Sequence, residues 1–362
     1  MRVLLAGGGT AGHINPAISI ADTIKSKEPG SEFMFVGTQS GMESRLVPKA
    51  GYKIEFVDVQ GFKRKLTPEN IIAVFKALRA LGKCRSIIKK FKPDVVIGTG
   101  GYVSGPLLYA ATQLKIPALI HEQNVFAGLT SKMLCNKVNT VCISFEESRK
   151  HFENTENVVL TGNPIRQELF GLTYSHAREK IGVDDKPLIV AFGGSLGATR
   201  LNESMVDYIK KTEEGMCNIL FATGERGFET VLKSLEGVNK KGVNVVKYIY
   251  NMDEAMQAAD LLVCRAGALT LSELNALGKP ALLIPSPNVT DNHQYYNAKA
   301  LVDNNAAVMI EEKNLDSEVF KKAVDELLYN RNRLDEMGIH SKKMGIRNAN
   351  ELIYKEIKKI SS

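Results

Sequence analysis

The chain has 362 residues, of which 44% are apolar and 24% are charged, as in folded globular proteins. This length exceeds one ordinary compact core, so we expect two domains. The five cysteines stand singly, without a CxxC pair, which argues against a disulfide framework or a zinc site and fits a reducing cytosol. The net charge of +7 suits an anionic partner, either nucleic acid or acidic lipid.

No secretory signal is expected at the N-terminus, because Met1–Ala6 runs directly into glycines. No uncharged apolar run reaches the roughly 18 to 20 residues that a membrane-spanning helix needs. We therefore expect any contact with a membrane to occur at its surface.

Short runs rich in valine, isoleucine and leucine alternate with longer amphipathic stretches, which is typical of parallel strands covered by helices. In the first half, we expect strands near Arg2–Ala6, Glu32–Val36, Ile54–Val59, Val95–Thr99, Ala118–His121 and Thr140–Ser144. In the second half, we expect them near Leu188–Phe192, Asn218–Ala222, Val243–Tyr248, Leu261–Cys264 and Ala281–Ile284. The predicted fold class is therefore α/β, with two doubly wound sheets.

The strand series restarts after Thr161–Pro164, a stretch of turn and breaker residues. We place an N-terminal domain at residues 1–162 and a C-terminal domain at residues 163–340. Beyond Asp316 the pattern is helical, and a final helix at about 341–362 is expected to pack back on the first domain. Two such domains would leave a cleft, and doubly wound sheets bind ligands outside the carboxyl ends of their strands.

The first predicted strand leads into a glycine loop that satisfies GxGxxG in a strand, turn and helix context. The loop runs from Gly7–Gly9 through Thr10, Ala11 and Gly12 to His13. Glycines allow backbone amides to approach an oxygen-rich ligand, and the helix N-terminus favours negative or hydroxyl-rich groups. A ligand site is therefore predicted here.

A nicotinamide dinucleotide is disfavoured at this loop. That type of site has an acidic residue at the end of the second strand, where this chain has Gly37 and Thr38. Three further strand ends carry glycine loops, at Gly98–Tyr102, Gly193–Gly197 and Arg265–Ala268. A tight turn without a ligand would explain any one of these loops, but their recurrence in two domains indicates two substrates.

Polar side chains beside the second-domain loops suit a nucleotide. Ser195 and the neighbouring amides can donate to a diphosphate at a helix start. Arg265 and Arg166 carry permanent, forked charges that suit phosphate. Glu273 lies one turn into the next predicted helix and can accept both hydroxyls of a ribose. Alternatively, a carboxylate in that first turn only favours the helix dipole.

Seven sequence blocks resemble, in order, the MurG family of N-acetylglucosaminyltransferases within glycosyltransferase family 28. They are GGGTAGHINPA from Gly7, GTGGYVSGP from Gly98, HEQN from His121, TGNPIR from Thr161, GGSLGA from Gly193, RAGALTLSE from Arg265 and HQYYNA from His293. The blocks span nearly the whole chain. The resemblance implies the GT-B architecture, in which two Rossmann-like domains face each other across a cleft.

The resemblance also implies a reaction. N-acetylglucosamine would be transferred from UDP-N-acetylglucosamine, with inversion, to the C4 hydroxyl of undecaprenyl-diphospho-MurNAc-pentapeptide (lipid I), giving lipid II for peptidoglycan. The second domain would hold the donor, the first would receive the lipid-linked acceptor, and other cell-wall synthesis proteins would be partners. The implied substrate contacts are Thr10, Ala11, Gly12, Asn124, Arg166, Ser195, Ile249, Ala268, Leu269, Thr270, Glu273 and Gln294. Ala11 stands where similar enzymes often have glycine, and His293 where they often have glutamine, so Gln294 is chosen as the sugar contact.

An inverting transfer needs a base for the acceptor hydroxyl and a sink for the charge of the leaving UDP. His13 is predicted to be the general base, because an imidazole can accept a proton at neutral pH. Alternatively, His13 only hydrogen-bonds substrate or backbone, and Glu122 is the reserve candidate. The loops of Ser195 and Ala268, with Arg166, would stabilise the diphosphate. No DxD-type pair stands at a strand end, so neither a metal ion nor another cofactor is expected.

Residues 62–93 contain ten cationic side chains and a single acid, Glu69. Ile71, Phe75 and Leu78 recur at helical spacing, which predicts an amphipathic helix. Anionic headgroups attract each Lys or Arg near a membrane surface by about 1 kcal/mol. We therefore expect peripheral binding at the cytoplasmic face of the cell membrane. Nucleic acid is disfavoured, because the stretch lacks exposed stacking aromatics and no nucleic-acid module is recognisable.

Other functions stay open at this point. The same fold would serve another UDP-sugar transferase or a UDP-N-acetylglucosamine 2-epimerase, which would act without a lipid acceptor. A nicotinamide-dependent dehydrogenase is disfavoured by Gly37 and Thr38. A non-catalytic UDP-sugar-binding subunit would not need His13 together with the HEQN block.

Overall fold

A computed structural model describes residues 1–60, 68–238 and 241–361. These residues form two compact units. The first comprises Met1–Ile165 and the segment from Asn348 to the C-terminus, and the second is Arg166–Arg347. The expected boundary at residue 162 lies just before the observed one.

Within the described residues, the first unit contains a seven-stranded parallel sheet. Its strands are β1 (Arg2–Gly7), β2 (Glu32–Gly37), β3 (Ile54–Phe56), β4 (Val95–Gly100), β5 (Ala118–Glu122), β6 (Thr140–Ile143) and β7 (Val158–Leu160), in the order β3-β2-β1-β4-β5-β6-β7. The helices that precede the second unit are α1 (Ala11–Lys27), α2 (Glu43–Lys49), α3 (Pro68–Phe91), α4 (Ser104–Gln113) and α5 (Leu129–Leu134). Helices on both faces explain why β1 is an unbroken apolar run, with Val3 to Ala6 fully buried.

The described part of the second unit contains a six-stranded parallel sheet. Its strands are β8 (Leu188–Phe192), β9 (Asn218–Ala222), β10 (Val243–Val246), β11 (Leu261–Cys264), β12 (Ala281–Leu283) and β13 (Val308–Met309), in the order β10-β9-β8-β11-β12-β13. The helices of this unit are α6 (Tyr174–Ile181), α7 (Thr199–Lys211), α8 (Phe228–Ser234), α9 (Met252–Ala258), α10 (Ala268–Leu277), α11 (His293–Asp303), α12 (Ser317–Leu328) and α13 (Arg331–Met344). The predicted α/β class with two doubly wound sheets is confirmed.

The last helix, α14 (Ala349–Ser361), returns to the first unit and packs on α1. Its buried residues Ala349, Ile353 and Ile357 recur every four positions, and Ile353 and Ile357 join the core beneath α1. The expected helix at 341–362 is therefore too long at its start. Residue Ser341 belongs to α13 and donates its hydroxyl to Asn275 Oδ1 at 3.0 Å in the second unit.

In each sheet, the order in which successive strands are added reverses at a position that suits a ligand. In the first unit β1 lies between β2 and β4, and in the second β8 lies between β9 and β11. Chain connections therefore leave in opposite directions at the carboxyl ends of β1 with β4 and of β8 with β11. Among the described residues, no helix is both long and apolar enough to cross a membrane.

Candidate active site

The glycine loops after β1 and β4 lie against each other in the first unit. Gly8 N–H donates to Gly100 O at 3.2 Å. A Cβ atom at Gly101, whose φ is +83°, would lie only 2.3 Å from Gly8 O, so a larger residue there would push the loops apart. This close contact brings the start of α1, including His13, beside the end of β4.

His13 is held by a chain of hydrogen bonds that leads to buried side chains. Its Nδ1 lies 3.1 Å from both Thr99 O and Gln123 Oε1. Gln123 Nε2 lies 2.9 Å from His121 Nδ1, and His121 Nε2 donates to Gly162 O at 3.0 Å. Burial lowers the pKa of His121 to about 4, despite the opposing effects of Gly162 O and the Glu122 charge, so this imidazole is neutral at neutral pH.

Glu122, the reserve candidate for the base, organises the loop that follows β5. It is buried and accepts hydrogen bonds from Asn124 N at 3.1 Å, Gly128 N at 2.9 Å and the Ser131 hydroxyl at 2.7 Å. Both carboxylate oxygens are therefore engaged. The geometry therefore favours His13 over Glu122 as the proton acceptor. The predicted contact Asn124 directly follows Gln123, the residue that hydrogen-bonds His13.

The predicted contacts Thr10, Ala11 and Gly12 lie at the start of α1. Thr10 is the N-cap residue, and its carbonyl accepts from the amides of His13 and Ile14 at 3.1 Å each. Thr10 and Gly12 are exposed, which leaves this helix start open to a ligand.

Glu43, at the start of α2, hydrogen-bonds the first glycine loop. It is not among the site residues predicted from the sequence. Its carboxylate accepts from Gly9 N at 3.0 Å and from the amide and hydroxyl of Thr38 at 2.9 and 2.7 Å. Burial raises the pKa of Glu43, but the hydrogen bonds from Thr38 and Gly9 outweigh this and lower it below its usual value. Both carboxylate oxygens of Glu43 are engaged within the protein, so Glu43 supports the loop and does not replace the ribose-binding acid that is missing from the end of β2. The signal available in the sequence was a glutamate in a first helical turn shortly after Gly37.

The second unit has a cavity of about 460 Å³ at the carboxyl ends of β8 and β11, where the strand order reverses. The lining residues come mainly from the segments that follow β8, β11 and β12. They are Phe192, Gly193, Gly194, Gly197, Ala198, Thr199, Arg200, Arg265, Gly267, Thr270, Ser286, Asn288, Gln294 and Glu312. Glycine is required at Gly197, where φ is +85° and a Cβ atom would lie 2.2 Å from Thr223 O. The cavity is large enough for part of a nucleotide sugar.

Guanidinium groups are fixed at this cavity by backbone carbonyls. Arg265 donates to Ile284 O at 3.0 Å and pairs with Glu312. Arg200 donates to Leu315 O at 2.8 Å. Nothing in the sequence distinguishes this residue, since one Arg in a helix is usually a surface residue. Both guanidinium groups also have carboxylate partners, Arg265 with Glu312 and Arg200 with Glu203 at 3.3 Å, so a diphosphate would compete with these carboxylates for them.

The predicted donor contacts of the second unit lie at different positions relative to this cavity. Thr270 and Gln294 line it, and Gln294 Oε1 accepts from Ser286 N at 2.8 Å. Ser195 lies in the same glycine loop as the lining residues, although its side chain is not part of the lining. Ala268 and Leu269 form the first turn of α10 beside Gly267. Ile249 is buried just beyond β10 and does not line the cavity.

Arg166 and Glu273 form an ion pair next to the predicted donor site. Arg166 Nε lies 3.1 Å from Glu273 Oε1. Glu273 is on α10, one turn beyond Thr270. Burial raises the pKa of Glu273, and the charge of Arg166 partly opposes this effect. Neither side chain lines the cavity. Because Glu273 is paired with Arg166, a ligand that binds Glu273 would compete with Arg166.

Comparison with known proteins agrees with this geometry. Residues 3–143 match the glycosyltransferase family 28 N-terminal domain, and residues 188–353 match the family 28 C-terminal domain. An Acetivibrio thermocellus protein named UDP-N-acetylglucosamine–N-acetylmuramyl-(pentapeptide) pyrophosphoryl-undecaprenol N-acetylglucosamine transferase is 48% identical over 99% of this chain and 98% of its own. A Clostridioides difficile protein of the same name is 44% identical over 99% and 89%.

The chain belongs to glycosyltransferase family 28. The crystal structure of MurG from Acinetobacter baumannii is 32% identical and superposes with a TM-score of 0.82 over 99% of both chains. A UDP-GlcNAc 2-epimerase from Neisseria meningitidis has a TM-score of 0.67 at 15% identity over 99% of this chain and 100% of its own, which shows a shared fold alone. The predicted family and the predicted GT-B fold of this family 28 enzyme are confirmed, whereas the roles of individual site residues stay predictions.

Proposed function

We propose that this family 28 enzyme transfers N-acetylglucosamine from UDP-N-acetylglucosamine to the lipid-linked MurNAc-pentapeptide of peptidoglycan synthesis. The observation that carries the proposal is the cavity in the second unit, where a glycine loop, Arg200 and Arg265 provide donors and positive charge for a diphosphate. The names of full-length relatives at 44% to 48% identity support this choice of donor and acceptor.

The donor would be bound mainly by the second unit. The amides of the Gly193–Gly197 loop and the guanidinium of Arg265 would contact the diphosphate, and Thr270 and Gln294 would contact the sugar. Glu273 would accept the ribose hydroxyls, which frees Arg166 from its present partner so that it can pair with phosphate.

The chemical step would use His13 as the base. Its Nδ1 is engaged by Thr99 O and Gln123, so Nε2 is the nitrogen that takes the proton from the C4 hydroxyl of the acceptor. The oxygen forms a bond to C1 of the sugar as the bond from C1 to UDP breaks, and the electron pair leaves with UDP. Fixed cationic and amide groups near a developing charge commonly stabilise a transition state by several kcal/mol.

The direct test is an incubation of the purified protein with labelled UDP-N-acetylglucosamine and the lipid-linked MurNAc-pentapeptide. Label should move to the lipid, and His13→Ala should lower kcat by about 10²- to 10⁴-fold with unchanged UDP affinity. Label that stays on the nucleotide, or a conversion of the sugar without acceptor, would contradict the proposal. Wild-type turnover by His13→Ala would remove His13 from the role of base while leaving the transfer itself intact.

The proposal includes binding to an anionic membrane surface through residues 62–93. In the described part of this stretch, Phe75 and Leu78 are 64% and 60% exposed on α3, and Arg79 and Lys83 are exposed beside them. Lys63, Arg64 and Lys65 lie outside the described residues. Exposed apolar side chains next to cations are suited to the interface between headgroups and acyl chains.

Sedimentation with lipid vesicles tests this part. The protein should bind vesicles that contain phosphatidylglycerol more tightly than vesicles of phosphatidylcholine, and the double variant Phe75→Ser, Leu78→Ser should weaken that binding about tenfold or more. The control is Val319→Ser, Ile339→Ser, which removes exposed apolar side chains from the second unit. Equal binding by both double variants would show that α3 is not the docking element.

A further inference from the structure

Gln123 joins two imidazoles at the end of β5. It is only 2% exposed, and its side-chain amide lies between His13 and His121. Gln123 Nε2 donates to the carbonyl oxygen of His121 at 2.8 Å. Because that carbonyl can only accept, the orientation of the amide is determined, and Gln123 Oε1 faces His13 Nδ1.

The hydrogen-bond partners also determine where the protons lie. Gly162 O can only accept, so His121 Nε2 carries a proton, and the neutral His121 must accept from Gln123 through Nδ1. Gln123 Oε1 and Thr99 O are both acceptors at 3.1 Å from His13 Nδ1. His13 Nδ1 therefore carries a proton, and in the neutral imidazole the lone pair is on Nε2.

We propose that Gln123 is a positioning residue that fixes His13 in the tautomer whose Nε2 accepts the proton of the acceptor hydroxyl. This inference rests on the proposed function, in which His13 is the base. A side chain behind a catalytic imidazole decides its tautomer and ring orientation, and a wrong tautomer costs activity even when the geometry is intact. Here the supporting group is a neutral amide, which orients the ring without adding a negative charge next to it.

The charged groups on the elements around His13 are engaged by other partners. Glu122, the last residue of β5, accepts hydrogen bonds from Asn124 N, Gly128 N and the Ser131 hydroxyl. Glu43 on α2 lies under Gly9 of the same loop. On α14, Glu351 and Lys358 pair with Lys27 and Glu28 at the opposite end of α1. The neighbouring strands β1 and β4 carry no acidic residue. Gln123→Glu would place a carboxylate oxygen where Gln123 Oε1 now lies, 3.1 Å from His13 Nδ1, and this charge should stabilise the imidazolium.

The test compares Gln123→Leu and Gln123→Glu in the transfer assay. Gln123→Leu should lower kcat about tenfold, because Thr99 O retains part of the orientation and general base catalysis as a whole contributes about 10²- to 10⁴-fold. The affinity for UDP, measured by calorimetry, should not change. Gln123→Glu should move the acidic limb of the kcat pH profile to higher pH, a shift that a purely structural role would not produce.

A double-mutant cycle with His13→Asn and the ring nitrogen NMR signals of the wild type complete the test. In the His13→Asn background, Gln123→Leu should cause no further loss of kcat. The wild type should show His13 protonated at Nδ1, and Gln123→Leu should populate the other tautomer. An Nε2-protonated His13 in the wild type, or an unmoved pH limb in a folded Gln123→Glu variant, would overturn the inference. Wild-type turnover by His13→Asn would instead overturn the proposed role of His13 as base. If Gln123→Glu does not fold, the NMR signals and the kcat of Gln123→Leu decide whether Gln123 sets the tautomer.

Discussion

The carboxylates of Glu43, Glu122 and Glu273 have different environments, although each lies near a strand end or in the first turns of a helix. Glu43 and Glu122 are buried and accept backbone N–H groups, so each organises a loop. Glu273 pairs with Arg166, which a ligand can displace. A buried carboxylate satisfied by backbone amides is costly to replace, whereas one paired with a mobile side chain can exchange partners.

Glu273→Ala should weaken UDP binding about 10- to 100-fold, because hydrogen bonds to a charged group contribute roughly 1.5 to 3 kcal/mol. Calorimetric titration with UDP measures this. The matched control is Glu254→Ala, which breaks the 3.0 Å ion pair with Lys180 in the same unit and should leave UDP affinity unchanged. If both variants bind UDP like the wild type, Glu273 is not the ribose ligand.

At the scale of elements, the C-terminal end of α10 carries a buried cluster of charges away from the cavity. Lys279 follows this helix and donates to the carbonyls of Gln257 and Ala259 at 2.6 and 3.0 Å. Burial lowers its pKa to about 8; the charge of Asp260 opposes this, and that of Arg178 adds to it. The cluster connects α6, α9 and α10, so its role is to hold these elements together.

Lys279→Met should change how stability depends on pH. Between pH 8 and about 10.5 the unfolded wild type binds more protons at this lysine than the folded protein, so its free energy of unfolding rises with pH there. Between pH 7.5 and 10 the gain relative to Lys279→Met should be about 2 kcal/mol, since this range covers most of the titration and one pKa unit corresponds to about 1.4 kcal/mol. Urea unfolding of both proteins at pH 7.5 and 10 measures the difference, and parallel pH profiles would contradict it.

At the scale of the whole molecule, each unit has its own apolar core. Ile353 and Ile357 of α14 join Val3, Leu5 and Ile24 in the first unit. The second unit has a separate cluster that includes Leu327. The C-terminal helix thus completes a domain whose other elements lie at the beginning of the chain.

Ile353→Ala should lower the free energy of unfolding of the first unit by about 2 to 5 kcal/mol through the cavity it creates. UDP binding by the second unit should persist at 25 °C. Leu327→Ala is the matched control, since it removes a buried side chain from the other core and should lower the temperature at which UDP binding is lost. Thermal melts with and without UDP compare them, and identical effects of UDP on the two variants would show that the cores are not independent.

The central strands of both sheets were predicted closely, because parallel strands that are buried on both faces form uninterrupted apolar runs. The edge strands β7 (Val158–Leu160) and β13 (Val308–Met309) were missed. They are very short, and their pairing depends on the neighbouring strand more than on their own residues. The start of the last helix was misplaced for a similar reason, since both α13 and α14 are helical and only packing separates them.

The sequence by itself determined the α/β class, the glycine loops and the family, because these depend on local patterns and on blocks of residues that keep their order along the chain. Only the tertiary structure decided which side chains meet. The partnership of His13 with Gln123, the position of Glu43 under Gly9, and the pairing of Arg166 with Glu273 join residues distant in sequence. Their chemistry depends on distance and burial, which a linear pattern does not contain.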